Sequence, residues 1–137
     1  MKYVVIIFLL SNTVWSQNLD AHLWENRVIV ISADKANIQK AESQFNLLNK
    51  EKEKLIDRRL VIYKCIEKTC VFYDFKQVEK MSKTNKNPEG FSITLIGLDG
   101  GKKYKSNQIE QANVFFDLID KMPMRRQELK NKKGKND

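Results

Sequence analysis

The hydrophobic period changes twice between residues 28 and 65, and this constrains the chain more than any other feature of it. Val28, Ile29, Val30 and Ile31 form an unbroken β-branched run. That is the pattern of a strand buried on both faces. From Asn37 onward, Ile38, Ala41, Phe45, Leu48 and Leu55 recur at intervals of three, four or seven, with lysine and glutamate on the opposite face as far as Lys54. Such spacing predicts one long amphipathic helix, with Ser32 or Asp34 as its cap. The stretch "DRR" ends it, and "LVIYKC" reads as a second strand. Strand, helix and strand in that order make a βαβ unit, in which the two strands run parallel and the crossover is right-handed.

Further on, "CVFYDF" (70–75) is another extended run, and "KQVEKMSK" (76–83) predicts a short helix. The polar "TNKNPEG", with Pro88 and Gly90, is turn-rich. "FSITLIG" followed by "LDGGKKYKS" carries hairpin chemistry, because Asp99-Gly100-Gly101 can supply the positive φ that a tight turn needs. Asn107 and Glu110 have the spacing of a capping box and predict the start of a last helix, whose apolar face includes Ala112, Phe116 and Ile119. The resulting order is β-α-β, then a strand and short helix, then β-β-α. It belongs to the α/β class and matches a single thioredoxin-like domain, with a central mixed sheet of about four to five strands flanked by helices. A chain of 137 residues suffices for one such core.

The two ends differ from this body. "MKYVVIIFLLSNTVWSQ" has the layout of a cleavable secretory signal, with Lys2, an apolar run from Val4 to Leu10 and a small-residue exit at Ser16. Residues 1–16 are therefore expected to be removed, leaving a domain at 17–128 and a tail at 129–137. The apolar run is shorter than the ~20 residues of a membrane span. No cysteine adjoins the cleavage site to accept a lipid. The expectation is a periplasmic or secreted protein with no transmembrane anchor in the mature chain. The formal net charge of +8 is concentrated in the tail: residues 124–137 hold six basic residues against two acidic ones, and residues 17–123 keep only +3. That is too mild to mark a nucleic-acid surface on the domain by itself, and no specific nucleic-acid partner is expected. The basic tail is expected to be disordered, with attraction to a polyanion or anionic surface as its alternative role.

Three stretches, "WENRVIVIS", "GFSITLIGLDGGKKYKS" and "VFFDLIDKMPMRRQE", resemble an uncharacterised domain-of-unknown-function family with a C-terminal MPMRRQE signature. The resemblance covers roughly residues 24–128. It implies a thioredoxin-like, peroxiredoxin-related fold in an extracytoplasmic setting with no established catalytic activity. Members of that family occur in bacterial envelope proteins and in animal extracellular-matrix proteins of the coiled-coil-domain-containing and sushi-repeat kinds.

A thioredoxin-like fold carries its reactive thiol at the start of the helix after the first strand, where the helix dipole lowers the thiol pKa. Here the corresponding "SADKAN" contains no cysteine, and Phe91-Ser92-Ile93 stand where redox members place a cis-proline. The two cysteines present, Cys65 and Cys70, read first as a structural disulfide, with free thiols or a redox-active pair as alternatives. His22 is the sole histidine. No His-centred catalytic set, no metal-ligand spacing and no cofactor motif is recognisable, and "GLDGG" lacks the lysine and hydroxyl of a phosphate loop.

Arg125, Arg126 and Gln127 are the candidate binding residues, since two guanidinium forks beside an amide suit a carboxylate or phosphate on a partner. A structural role is the favoured alternative. Pro123 opens a new helical turn, Met122 and Met124 pack beneath it, and an arginine bonds helix-end carbonyls or Asp117 and Asp120. The chain is thus expected to be a non-catalytic exported domain that binds an unidentified protein or anionic envelope or matrix component, or that builds envelope structure. The alternatives are a thiol-disulfide oxidoreductase using Cys65 and Cys70, and a polyanion binder acting through the tail.

Overall fold

At the centre of the molecule two strands run parallel, as the βαβ pattern requires. The structure, a computed structural model, describes residue 19, residues 21–75 and residues 79–136. The expected signal segment, 1–16, lies outside the described residues. Strands β1 (Arg27–Ala33) and β2 (Leu60–Ile66) pair in parallel, from Arg27 against Leu60 to Ala33 against Ile66. Between them come one turn of 3-10 helix (Lys35–Asn37), then α1 (Ile38–Asn49) and α2 (Lys52–Asp57). The single long helix expected from the spacing is therefore two. The Glu51 N–H donates to the Leu48 carbonyl at 2.9 Å, an i→i−3 closure that tightens the end of α1. Both Leu48 and Leu55 are fully buried as a result. Asp34 heads the 3-10 turn and Asn37 heads α1, so neither expected residue caps α1 itself.

The sheet has six strands in the order β4-β3-β2-β1-β5-β6, one more than expected. Strands β3 (Thr69–Tyr73), β4 (Lys80–Lys83), β5 (Phe91–Ile96) and β6 (Lys102–Ser106) join it by antiparallel pairing. The additional strand is β4, where "KQVEKMSK" predicts a helix; residues 76–78 of that stretch lie outside the described residues. Lysine, glutamate and methionine are good helix formers, but local propensity is overridden by tertiary context, here the ladder offered by the edge of β3. Phe72 faces Lys80 and Thr69 faces Lys83 across it. Both outer strands, "KMSK" and "KKYKS", are rich in lysine, which discourages pairing with another chain.

The turns follow their sequences. Between β2 and β3, Glu67 takes φ of 53° in a two-residue turn. Its N–H donates to the Ala33 carbonyl at 2.9 Å, and its carboxylate accepts the Lys35 N–H at 2.7 Å. Between β5 and β6, Gly100 supplies the expected positive φ, 80°, while Asp99 Oδ1 accepts the Gly101 N–H at 2.9 Å.

Helices α3 (Ala112–Asp120) and α4 (Pro123–Asn136) close the fold. The capping box at Asn107 and Glu110 does not form. Helix α3 starts later, with Gln111 at its head, because the Glu110 carboxylate accepts the Tyr104 hydroxyl at 2.9 Å instead of folding back. The basic residues from 129 onward, for which disorder is expected from composition, continue α4. Most are good helix formers, and Lys132 is held by an ion pair with Asp57.

Alternation along the strands sorts the sheet into two faces. Ile29, Ile31, Ile62, Ile93 and Leu95 pack against Leu48, Leu55, Phe115, Phe116 and Ile119, so α1, α2 and α3 lie on one face. Val28, Val30, Val61, Tyr63, Ile96 and both cysteines form a second cluster, joined by Leu19 and Phe72. No residue of α1 to α4 belongs to that second cluster among the described residues.

Candidate functional site

At the end of β1, where a redox thioredoxin would carry its nucleophile, Asp34 is tied into a closed knot. Its N–H donates to the Gly90 carbonyl at 2.9 Å, and its Oδ2 accepts the Gly90 N–H at 2.7 Å. Oδ1 accepts the Asn37 amide at 2.6 Å. The Asn37 amide foremost, then the Gly90 N–H, hold the Asp34 carboxyl below the ordinary carboxylate value. The knot joins the exit of β1 to the entry of β5 and offers no nucleophile. No peptide bond is cis among the described residues.

Cys65 and Cys70 face each other across β2 and β3 and form a disulfide, with Cα atoms 4.0 Å apart. They are 0% and 4% exposed. An attacking thiolate would have to enter the cluster of Tyr63, Phe72 and His22 beside them. The Tyr63 hydroxyl donates to His22 Nε2 at 2.7 Å, which leaves Nδ1–H for Asn26 Oδ1 at 3.3 Å. Burial pushes the Tyr63 phenol up, consistent with its role as donor. The bridge closes a short loop, so replacing both cysteines with alanine is expected to lower stability by about 2 kcal/mol in urea denaturation. The native register should survive, since Ile62 against Tyr73 and Tyr63 against Phe72 also fix it.

The three candidate residues at the C-terminus do not converge. Arg125 points inward and is 2% exposed. Its guanidinium donates to Asp57 Oδ2 at 2.6 Å, the Asp57 carbonyl at 3.0 Å, Asp120 Oδ1 at 3.3 Å and Glu128 Oε2 at 3.4 Å. Arg58 grips Asp120 with two bonds, at 3.0 and 2.9 Å, and lies over the Phe116 ring. Arg27, 1% exposed, donates to the Arg58 carbonyl at 2.9 Å and to Glu128 Oε2 at 3.3 Å. Its Nη2 also lies 3.1 Å from Glu128 Oε1, a charge contact off the N–H direction. Through these pairs α4 is fastened to β1, α2 and α3. Arg126 and Gln127 face outward, and the Gln127 amide donates to Asn131 Oδ1 of its own helix at 3.3 Å.

The same cluster sets an acid limit on stability. Lys132 foremost, and then Arg125 against the opposing effect of burial, hold the Asp57 carboxyl below 3.8. Burial works to raise the Asp120 carboxyl, but Arg58 and Arg125 outweigh it and hold it low as well. Depressed carboxyls stabilise the fold fully above their unfolded value of 3.8, and that contribution is lost as pH falls below it through the lowered folded values. Melting temperature is therefore expected to fall more steeply below pH 3.8 in the wild type than in an Asp57→Asn variant.

On the opposite face, which also carries the helical residue Leu19, lies a concave groove of about 660 Å3. The loop at 86–89 bounds it, and β1, β5 and β6 form its floor. Ser32 lies opposite Ser92, Val30 opposite Thr94, and Thr94 opposite Lys105. Among the described residues, the side chains of Ser32, Ser92, Thr94, Lys86, Lys102 and Lys105 have no hydrogen-bond or ion-pair partner. Glu89 is the one acidic residue in the lining. The sequence reading missed this groove, although "FSITLI" carried a signal: Ser92 and Thr94 alternate with buried Phe91, Ile93 and Leu95. No group of three or more His, Cys, Asp or Glu residues able to hold a metal occurs among the described residues. No helix among them is long and apolar enough to cross a membrane.

No curated protein and no solved structure matches the chain. A family model described as a domain of unknown function (DUF4174) does match it, over residues 18–128. That span runs from the segment before β1 to Glu128, the partner of Arg27 and Arg125, and the chain therefore belongs to this domain family.

Proposed function

We propose that this chain is an exported, non-catalytic binding domain with a thioredoxin-like fold, whose working surface is the sheet face opposite α1 to α3. The observation that carries this is the groove, where hydroxyls and lysines with no partner among the described residues stand over an apolar floor. These groups are part-exposed or exposed, and a concave array of hydroxyls and ammonium groups open to solvent suits an external polar ligand. The order β-α-β and then β-β-α, with β1 parallel to β2 and antiparallel to β5, supports the thioredoxin-like reading. Asp34 in the thiol position and the buried disulfide favour binding over thiol exchange.

A redox titration of the purified protein, read by thiol alkylation and intact mass, tests this. A structural pair should show a potential below about −300 mV. Turnover of a thiol or peroxide substrate that is abolished by Cys65→Ser would overturn it in favour of an oxidoreductase.

One observation supports a second surface. Helix α4 sets Arg126, Lys130 and Lys133 at i, i+4 and i+7, all exposed, as one basic stripe beside Gln127. A polyanion is the fitting partner. Salt-sensitive retention on heparin should disappear in an Arg126→Glu/Lys130→Glu/Lys133→Glu variant; unchanged retention removes this reading.

A further inference from the structure

We propose that the groove on the sheet face opposite α1 to α3 takes an amphiphilic organic anion, with its charged head over β6 and its apolar body over β1. This deepens the reading of the domain as a binder and rests on it.

The order of side chains across the strands makes the argument. One row runs from Val30 on β1 through Thr94 on β5 to Lys105 on β6, and the next from Val28 through Ile96 to Lys102. Neighbouring strands are roughly 4.8 Å apart, so a ligand lying across them passes from an apolar to a cationic floor within about 10 Å. Leu19 adds apolar surface to the same groove. Thr94 stands midway and offers its hydroxyl where the two parts of such a ligand would meet.

The cationic end depends on an irregularity. Lys102 and Lys105 are three residues apart, an odd spacing that would send them to opposite faces of a regular strand. A register shift at the Leu95–Ile96 position pairs Leu95 with Tyr104 and Ile96 with Lys102, which leaves Lys103 as the extra residue. This bulge brings both Lys102 and Lys105 into the groove lining. Lys103 is neutralised by Asp99 at 2.9 Å, whereas Lys102 and Lys105 have no carboxylate partner among the described residues. Lys86, on the bounding loop, adds a third charge with no carboxylate partner among the described residues. Ammonium groups act as point charges and suit a phosphate, sulfate or carboxylate head. A volume of about 660 Å3 fits a small molecule rather than a folded partner.

Calorimetric titration of the full chain with octyl phosphate below its micelle concentration tests the proposal, with inorganic phosphate and octanol as half-ligands. Octyl phosphate should bind saturably and more weakly as salt rises. Each half-ligand should bind at least about tenfold more weakly, and Lys102→Glu/Lys105→Glu should cost about tenfold or more in octyl phosphate affinity. Both lysines are exposed, so the variant should keep the wild-type melting temperature. Thr94→Val should weaken binding by a smaller factor. The proposal is overturned by octyl phosphate binding equally well to the Lys102→Glu/Lys105→Glu variant, or by no saturable binding to the wild type. Either result without thiol or peroxide turnover leaves the non-catalytic reading standing, whereas turnover abolished by Cys65→Ser defeats that reading whatever the groove binds.

Discussion

Replacing Arg125 with alanine is expected to lower the unfolding free energy by about 3 kcal/mol, while the same change at its neighbour Arg126 should stay within about 0.5 kcal/mol. The two differ in direction rather than chemistry. Arg125 is 2% exposed and answers three carboxylates, so its removal leaves Asp57, Asp120 and Glu128 facing one another with less positive charge. Removing one partner from a buried ion cluster ordinarily costs 3–5 kcal/mol. The lower end applies because Asp57 and Asp120 are 37% and 38% exposed and can turn partly to water. Glu128, at 14%, has less access to solvent and is left to Arg27 alone. Arg125→Lys should fall between, since an ammonium cannot reproduce the fork that reaches Asp57 and Asp120 together. Urea denaturation of the three variants measures this, and a loss at Arg126 equal to that at Arg125 would contradict it.

Such a difference between adjacent residues explains how far the sequence could be read. Pro123 and the methionines announced a new helical turn, and a structural role for the arginines was the favoured reading; composition could not say which arginine turns inward. That depends on helix phase: Arg125, Glu128 and Lys132 share one side of α4, and that side meets Asp57 at the end of α2. Asp57 is 68 residues away in sequence, which local spacing cannot reveal. Arg27 is a similar case. It opens a strand made of apolar residues, yet it is among the most buried side chains because Glu128 and the Arg58 carbonyl receive it.

The strands were legible wherever burial on two faces or turn chemistry imposed a pattern, as in "VIVI", "LVIYKC" and "LDGG". Strand β4 was not. Its residues favour a helix locally, and only β3 beside it makes them extended. The groove was hidden for a related reason. Ser32, Ser92 and Thr94 belong to different strands, and the register that aligns them is a property of the sheet. The bulge that places Lys102 beside Lys105 is likewise invisible in "GKKYKS", where odd spacing argues against a shared face.

Gln44 is the other position where a single change should have a large effect. It lies on α1, is 0% exposed, and clamps the backbone of Glu110, 66 residues away. Its Oε1 accepts the Glu110 N–H at 2.7 Å and its Nε2 donates to the Glu110 carbonyl at 2.9 Å. This clamp stands where the expected capping box is missing, so it fixes the approach to α3 in place of a side-chain cap. Gln44→Met keeps the volume but leaves both backbone groups without a partner. At roughly 1.5 kcal/mol for each such group, the loss should be about 3 kcal/mol. Gln44→Glu separates hydrogen bonding from packing. An ionised glutamate accepts the N–H but sets negative charge against the Glu110 carbonyl, whereas a protonated one can both accept and donate. Burial and that carbonyl raise its folded pKa above the unfolded value. The stabilising form is therefore fully present below the unfolded pKa and is lost as pH rises through the folded one. Gln44→Glu should approach the wild type in mild acid and fall toward Gln44→Met at neutral pH. Equal deficits for the two variants across that range would show that Gln44 acts by packing alone.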